Sequence, residues 1–398
     1  MSQSITDRAQ QAAQRCIQYA DRFPDRRAAS PDVTALQRDL RGIHAERAER
    51  TALQSFWTYP QAHYGWLYFV ATALILGWLI AFFSPAATML CLTIVILATS
   101  LQFGMHLPAL DALFDKHLAH NLIVDGHAPQ NADRELVLVC HADAQEQRHW
   151  LAIGGKKWAY FVNIASWCGF LYLFIVTLIG VIQIGYAVHA PQGNLLYAYI
   201  GATAFVPIWA MLYFYTDPQA ESPNSDAALR ACVAASAVAE YLQENPLNRT
   251  RVRLVVHDAS ESGLSGARAY LRENPQLHRR NATPALYVNF DAIYGDCPVL
   301  RKRERGATMP TSAMARDIAL HAAQTAQIPL QIDPIGMGST DASVYSAHRL
   351  GMISLTDQAN KNDDTMSDEQ LQRCLETWMR LGIAIAHTLD DADLHPMR

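Results

Sequence analysis

The sequence predicts an α/β fold: a three-layer sandwich on a mixed, largely parallel sheet, interrupted by two transmembrane helical hairpins that give four spans. Three observations carry this prediction. Short β-branched runs alternate with helical segments through the carboxy-terminal half, as in a mainly parallel sheet. Four of the runs end at or lead into polar residues, namely His141 with Asp143, Glu261, Asp291 and Asp341. Strand carboxyl ends are where an open α/β sheet builds its site. Finally, four long runs free of Lys, Arg, Asp and Glu divide the chain.

Taken in order, Ile5 to Arg22 and Pro31 to Trp57 read as helices, an amino-terminal helical segment over 1–62. Gly65 to Phe83 and Ala86 to Phe103, split by Ser84-Pro85, form the first hairpin, 63–104. Residues 105–157 begin the α/β domain, with strands at Asn121 to Val124 and Glu135 to Cys140. Trp158 to Val188 and Asn194 to Tyr215 form the second hairpin, 158–215. The domain resumes over 216–398. Its strands are expected at Val252 to Val256, Ala285 to Phe290, Leu330 to Ile332 and Met352 to Leu355. Helices are expected at Asp226 to Gln243, Ala267 to Arg272, Pro310 to Gln327 and Asp368 to His387.

Each apolar run is long enough to cross a hydrocarbon core of about 30 Å, which takes roughly 20 helical residues. Tyr64, Trp66, Trp158, Tyr213 and Tyr215 stand near the ends, where aromatic belts form. The loops inside the hairpins lack Lys and Arg, whereas Arg47, Arg50, Lys116, Arg148, Lys156 and Lys157 flank the other ends. The expectation is a multi-pass protein of the inner (cytoplasmic) membrane, with its polar domain and both termini in the cytoplasm. The polar opening Met1 to Arg27 is not expected to act as a signal peptide.

Of 398 residues, 51% are hydrophobic and only 17% charged, so lipid is the expected partner of the apolar runs. A net charge of −5 gives no reason to expect nucleic acid. Seven scattered cysteines show no disulfide framework. The basic run Arg301-Lys-Arg-Glu-Arg305 reads as a solvated loop.

Three pieces carry chemistry in a fixed order: His141-Ala-Asp143, then Glu261-Ser-Gly-Leu-Ser-Gly-Ala-Arg-Ala-Tyr270, then Asn289-Phe-Asp291. In that order they resemble metallopeptidase family 28 of clan MH, the co-catalytic zinc exopeptidases that include bacterial leucyl aminopeptidases. Ser339-Thr-Asp-Ala342 is similar to a Gly-Thr-Asp-Ala motif of some members. The resemblance covers roughly 120–143 and 216–390. It implies a zinc-exopeptidase-like sandwich and a site in which two metal ions activate one water. By that resemblance His141 and Asp291 are ligands of one metal, Glu261 is a ligand of the other, and Asp143 orients the His141 imidazole.

The departures are equally specific. The family's bridging aspartate falls on Ser225, with Asp226 one position away, its general base falls on Ser260, and its last histidine ligand falls on Asn360. A neutral serine hydroxyl does not bridge two dications as a carboxylate does, and losing a general base typically costs about 10²–10⁴ in rate. Zero or one zinc ion is therefore expected rather than two, the single ion resting on His141, Asp291 and Asp226.

Other readings stay open. His141 is also readable as a hydrogen-bonded core histidine, and Asn224, Ser225 and Asp226 as helix caps. Asp341 reads as a cap of the following helix. Asp258, if strand alternation persists, shares a face with Ser260 and replaces the lost base. The expected function is a membrane-bound, peptidase-like protein with a partly lost metal site. It would be a pseudo-peptidase or slow mono-metal hydrolase that binds peptides or a protein partner. The alternative is an active membrane aminopeptidase with a site rebuilt from Asp226 and Asp258.

Overall fold

The structure, a computed structural model, describes residues 4–104, 110–184, 190–221, 226–278, 283–304, 308–334, 339–357 and 366–392. The chain divides into two compact units. The first comprises Met1–Thr58, His117–Gln145 and Pro223–Arg398. The second comprises Tyr59–Lys116 and Glu146–Ser222.

The first unit is built on eight strands: β1 (Arg50–Thr58), β2 (His117–Asp125), β3 (Arg134–His141), β4 (Thr250–His257), β5 (Ala285–Phe290), β6 (Pro298–Arg301), β7 (Gln331–Asp333) and β8 (Gly351–Asp357). They form one sheet in the order β1-β2-β4-β3-β5-β8-β6-β7. The central strands β4, β3, β5 and β8 are parallel, and an antiparallel strand flanks them on each side. The mixed, largely parallel sheet and the α/β class are as the sequence predicts.

Among the described residues, seven α-helices cover the sheet: α1 (Ile5–Arg22), α2 (Pro31–His44), α3 (Asp226–Glu244), α4 (Ser265–Glu273), α5 (Ala313–Thr325), α6 (Asp341–Ala347) and α7 (Asp368–Asp391). Alternation along β3 assigns the layers. Leu136, Leu138 and Cys140 join the larger core with α1, α2, α3, α5 and α7. Val137 and Val139 join a second core with Tyr270 of α4 and Tyr345 of α6. Helix α3 packs on the sheet and against both α1 and α7. Its run of alanines suits that position, because small side chains let three elements approach closely. Along α1, Arg8 pairs with Glu244, and Arg15 with Glu240 at 2.5 Å, so charges fix the antiparallel register of α1 on α3.

The amino-terminal segment departs from expectation. The predicted helix Pro31 to Trp57 ends at His44, and Arg50–Thr58 is instead an edge strand paired with β2. Gln54, Phe56 and Thr58 alternate inward along it, a period of two that the neighbouring charged residues obscure. The segment thus belongs to the sheet. Strand β6 also went unpredicted, and the solvated reading of the basic run holds only in part: Lys302 and Arg303 are exposed, whereas Arg301 and Glu304 are buried.

Among the described residues, the second unit contains four helices long and apolar enough to cross a membrane: Ala62–Ala81, Pro85–Gln102, Lys157–Gln183 and Asn194–Phe214. They match the four predicted spans closely. The third belongs to a longer helix kinked at Gly155, whose φ of 65° lies in the left-handed region. Inside the unit, the Thr88 hydroxyl donates to the Gly77 carbonyl at 3.0 Å, and Tyr172 donates to the Ala198 carbonyl at 3.0 Å. Leu76, Leu90, Leu97, Ile164, Trp167 and Ile182 face outward. Thr58 pairs with His117 at the end of the antiparallel β1–β2 ladder, and within the second unit Arg148 pairs antiparallel with Thr216.

Candidate functional site

The parallel strands β3 and β4 end side by side, with His141 opposite His257. The His141 imidazole is buried, and its Nδ1 lies 3.0 Å from the Asp143 carbonyl and 3.3 Å from Asp143 Oδ1. The Asp143 carboxylate also accepts the backbone N–H groups of Ser260, at 3.1 Å, and Glu261, at 2.9 Å. One carboxylate therefore orients the histidine and ties the loop after β3 to the loop after β4. Burial alone would lower the His141 pKa, but the hydrogen bond and charge of Asp143, with Glu261 and Asp341, hold it well above the ordinary value.

The loop after β4 is tightly constrained. Ala259, Gly263 and Leu264 have φ of 57°, 89° and 61°, all left-handed. Gly266 is a true glycine position, because a Cβ there would sit 2.2 Å from the Asp258 carbonyl oxygen. The left-handed turn at Ala259 breaks strand alternation and separates Asp258 from Ser260. Asp258 is fully buried, and its Oδ1 accepts the N–H groups of Ala29 at 3.0 Å and Ala259 at 2.6 Å. Burial, then the charge of Asp143, pushes its pKa up to about 8. Ser260 instead donates to Asp341 Oδ2 at 2.8 Å. Burial raises the Asp341 pKa to about 7 against the opposing influence of His141 and Ser260. The cap of α6 is Thr340, whose hydroxyl accepts the Ala342 N–H, so Asp341 is free of the capping role expected for it.

On the other side of the site the carboxylates meet arginines. Asp226 opens α3, and its Oδ1 accepts from Arg26 Nη2 at 2.6 Å. The Arg26 side chain is only 3% exposed, its Nη1 donates to the Phe23 carbonyl at 2.8 Å, and its own carbonyl accepts the Ala144 N–H at 2.6 Å. Asp291, just past β5, lies 3.6 Å from Arg301 Nη2. Arg301 Nη1 is also 3.6 Å from Glu304, which accepts the Thr340 N–H at 3.0 Å. Burial first, opposed by Arg301, brings the Glu304 pKa up to about 7.

Of the candidate residues, His141, Asp143, Ser260 and Glu261 come together, joined by Asp341. Asp226 and Asp291 stand beside guanidinium groups, and Asp258 Oδ1 is taken by the Ala29 and Ala259 N–H groups. Ser225 and Asn360 lie outside the described residues. Arg26, Arg301 and Glu304 were not anticipated. No local signal marks Arg26, since its partner is 200 residues away. Arg301 had one available signal: Pro298 to Leu300 is apolar enough to be a strand, which would have turned the first arginine inward.

A metal fits this arrangement poorly. Carboxylate ligation needs free oxygen atoms at about 2.0–2.2 Å from the ion, and the carboxylates of Asp226 and Asp291 each face an arginine. Among the described residues, no group of three or more His, Cys, Asp or Glu is arranged to hold a metal ion.

Comparison with known proteins agrees with the fold. Residues 225–384 match the model of peptidase family M28. An aminopeptidase from Aneurinibacillus sp. strain AM-1 superposes with a TM-score of 0.51 at 11% identity, over 96% of this chain and 95% of that one. The Legionella pneumophila LapA aminopeptidase superposes with a TM-score of 0.50 at 9% identity, over 97% of this chain and 71% of that one. No curated protein matches the sequence. With His141, Asp143, Glu261 and Asp291 at its strand ends, the α/β unit has the fold of the M28 aminopeptidases, and the chain resembles peptidase family M28 in sequence across residues 225–384.

Proposed function

We propose that the protein is an integral membrane pseudo-peptidase, in which an M28-type unit is carried by four membrane spans. It binds a peptide end or a partner protein at these strand ends, and it lacks the zinc chemistry. The observation that carries this reading is the pairing of Asp226 with Arg26 and of Asp291 with Arg301. Two carboxylates expected as metal ligands are thereby neutralised within the chain. Ser260, where the resemblance expects the general base, is committed to Asp341 and has no basic oxygen to offer at neutral pH. The membrane part is supported by four apolar helices with large outward-facing side chains, since a contiguous apolar surface of that kind needs an apolar solvent. The flanking basic residues favour a cytoplasmic α/β unit.

The test is detergent-purified full chain incubated with zinc and assayed for release of leucine from a leucyl p-nitroanilide and a leucyl peptide. No metal-dependent release above background is expected. Turnover at ordinary enzyme rates, abolished by a chelator and by Asp291→Ala, would overturn the reading. For sidedness, a carboxy-terminal reporter is expected to be active only in the cytoplasm.

A further inference from the structure

We infer that Arg26 and Arg301 take the place of the family's metal, acting as built-in cations that hold the ligand carboxylates in position without an ion. This deepens the pseudo-peptidase reading and rests on it. The residues expected to bind metal do not fit one, and the same geometry says what replaces it.

The placement of Arg26 is determined by more than one contact. Helix α1 runs antiparallel to α3, with Arg8 at Glu244 and Arg15 at Glu240. Following that register, Arg26 in the next loop arrives at Asp226, the first residue of α3. The loop is then fastened just past the ends of β3 and β4. Arg26 accepts from the Ala144 N–H beyond β3, and Ala29 donates to Asp258 beyond β4. Ala29 has a φ of 59°, a conformation an alanine keeps only where its surroundings enforce it. A guanidinium that is 3% exposed requires an anionic partner, and Asp226 is that partner. Arg301 performs the corresponding task at Asp291 from the opposite side of the sheet order, on strand β6.

A guanidinium differs from zinc in ways that matter. It is permanently charged, it is covalently tethered, and it has no open coordination position to activate water. On Asp226, zinc would compete with the buried Arg26 for the oxygen that the guanidinium holds at 2.6 Å. The amino-terminal segment that supplies Arg26 lies outside the stretch matching the M28 model, residues 225–384. It therefore adds a charge that the matching stretch does not contain.

The experiment is a thermal double-mutant cycle on the full chain in detergent, using Arg26→Met, Asp226→Asn and the pair, with bound zinc measured on each protein. Each single change is expected to lower the melting temperature. The double change is expected to lower it by clearly less than the sum, and Arg26→Lys, which keeps the charge, to recover part of the loss. Should Arg26→Met fail to fold, Asp226→Asn and Arg26→Lys still give the comparison. Zinc and chelator are expected to leave the wild-type melting temperature unchanged. Additive losses, or wild-type zinc that disappears in Asp226→Asn, would overturn the inference. Peptidase turnover with the Arg26–Asp226 coupling intact would instead sink the pseudo-peptidase reading alone.

Discussion

Two halves of the candidate site treat their carboxylates differently. Around His141, the Asp143 carboxylate serves an imidazole and two backbone N–H groups, all from the loops after β3 and β4. Around Asp226 and Asp291, each carboxylate is met by an arginine outside its own loop, Arg26 before α2 and Arg301 at the end of β6. The first half is assembled from adjacent strand ends and keeps the form the resemblance leads one to expect. In the second, the carboxylates stand beside guanidinium groups. The lesson is that one carboxylate can orient a histidine and hold two loops together at once. Asp143 is such a brace.

That contrast is open to direct tests, and the largest effect belongs to the brace. Asp143→Ala leaves a buried histidine without its carboxylate and two buried N–H groups without an acceptor. A loss of about 3–5 kcal/mol is expected, as for breaking a buried charge pair. An unfolding midpoint in denaturant close to wild type would show that the brace is dispensable. Next comes Gly266→Ala, whose Cβ would collide with the Asp258 carbonyl. Overpacking of this kind costs about 1–3 kcal/mol, and a melting temperature unchanged by the substitution would mean that the loop after β4 yields easily.

Acid should act on the same half. His257 is fully buried, near Tyr345 and Asn121, and burial followed by the charge of His141 lowers its pKa to about 3. The folded state therefore resists a proton that the unfolded chain takes up below about pH 6.5. The stability from this group is complete above that pH and is lost as the pH falls from 6.5 towards 3, reaching about 2 kcal/mol at pH 5. Melting curves between pH 8 and pH 4 should slope this way in wild type and flatten in His257→Gln. His44 adds to the slope in the same direction: it is buried against Gln243 and Ser236, and burial lowers its pKa. The smallest effect is expected for Ser260→Ala, which removes one hydrogen bond to Asp341, worth about 1 kcal/mol. If Ser260 were instead essential to a hydrolytic reaction, the substitution would abolish turnover while barely moving the melting temperature.

Much of the α/β core was readable from residue patterns. Runs such as Val137 to Cys140 and Leu254 to Val256 are β-branched or apolar throughout, as strands covered on both faces must be. The four apolar helices were legible for a related reason, since charge-free runs of such length have few alternatives. Arg50–Thr58 was less legible because its alternation only acquires meaning beside β2. Asp258 misled because a single left-handed residue, Ala259, rotated everything after it. The basic run misled because only the pairing of β6 with β7 and β8 turns Arg301 inward.

By itself, the sequence determined the α/β class, the apolar helices, and the order of His141, Asp143, Glu261 and Asp291 at the strand ends. Hydrophobic periodicity and strand ends are local properties, written in consecutive residues. The tertiary structure alone decided which charges neutralise which carboxylates. Arg26 and Asp226 are separated by 200 residues, and only the packing of α1 along α3 brings a guanidinium to that carboxylate at 2.6 Å.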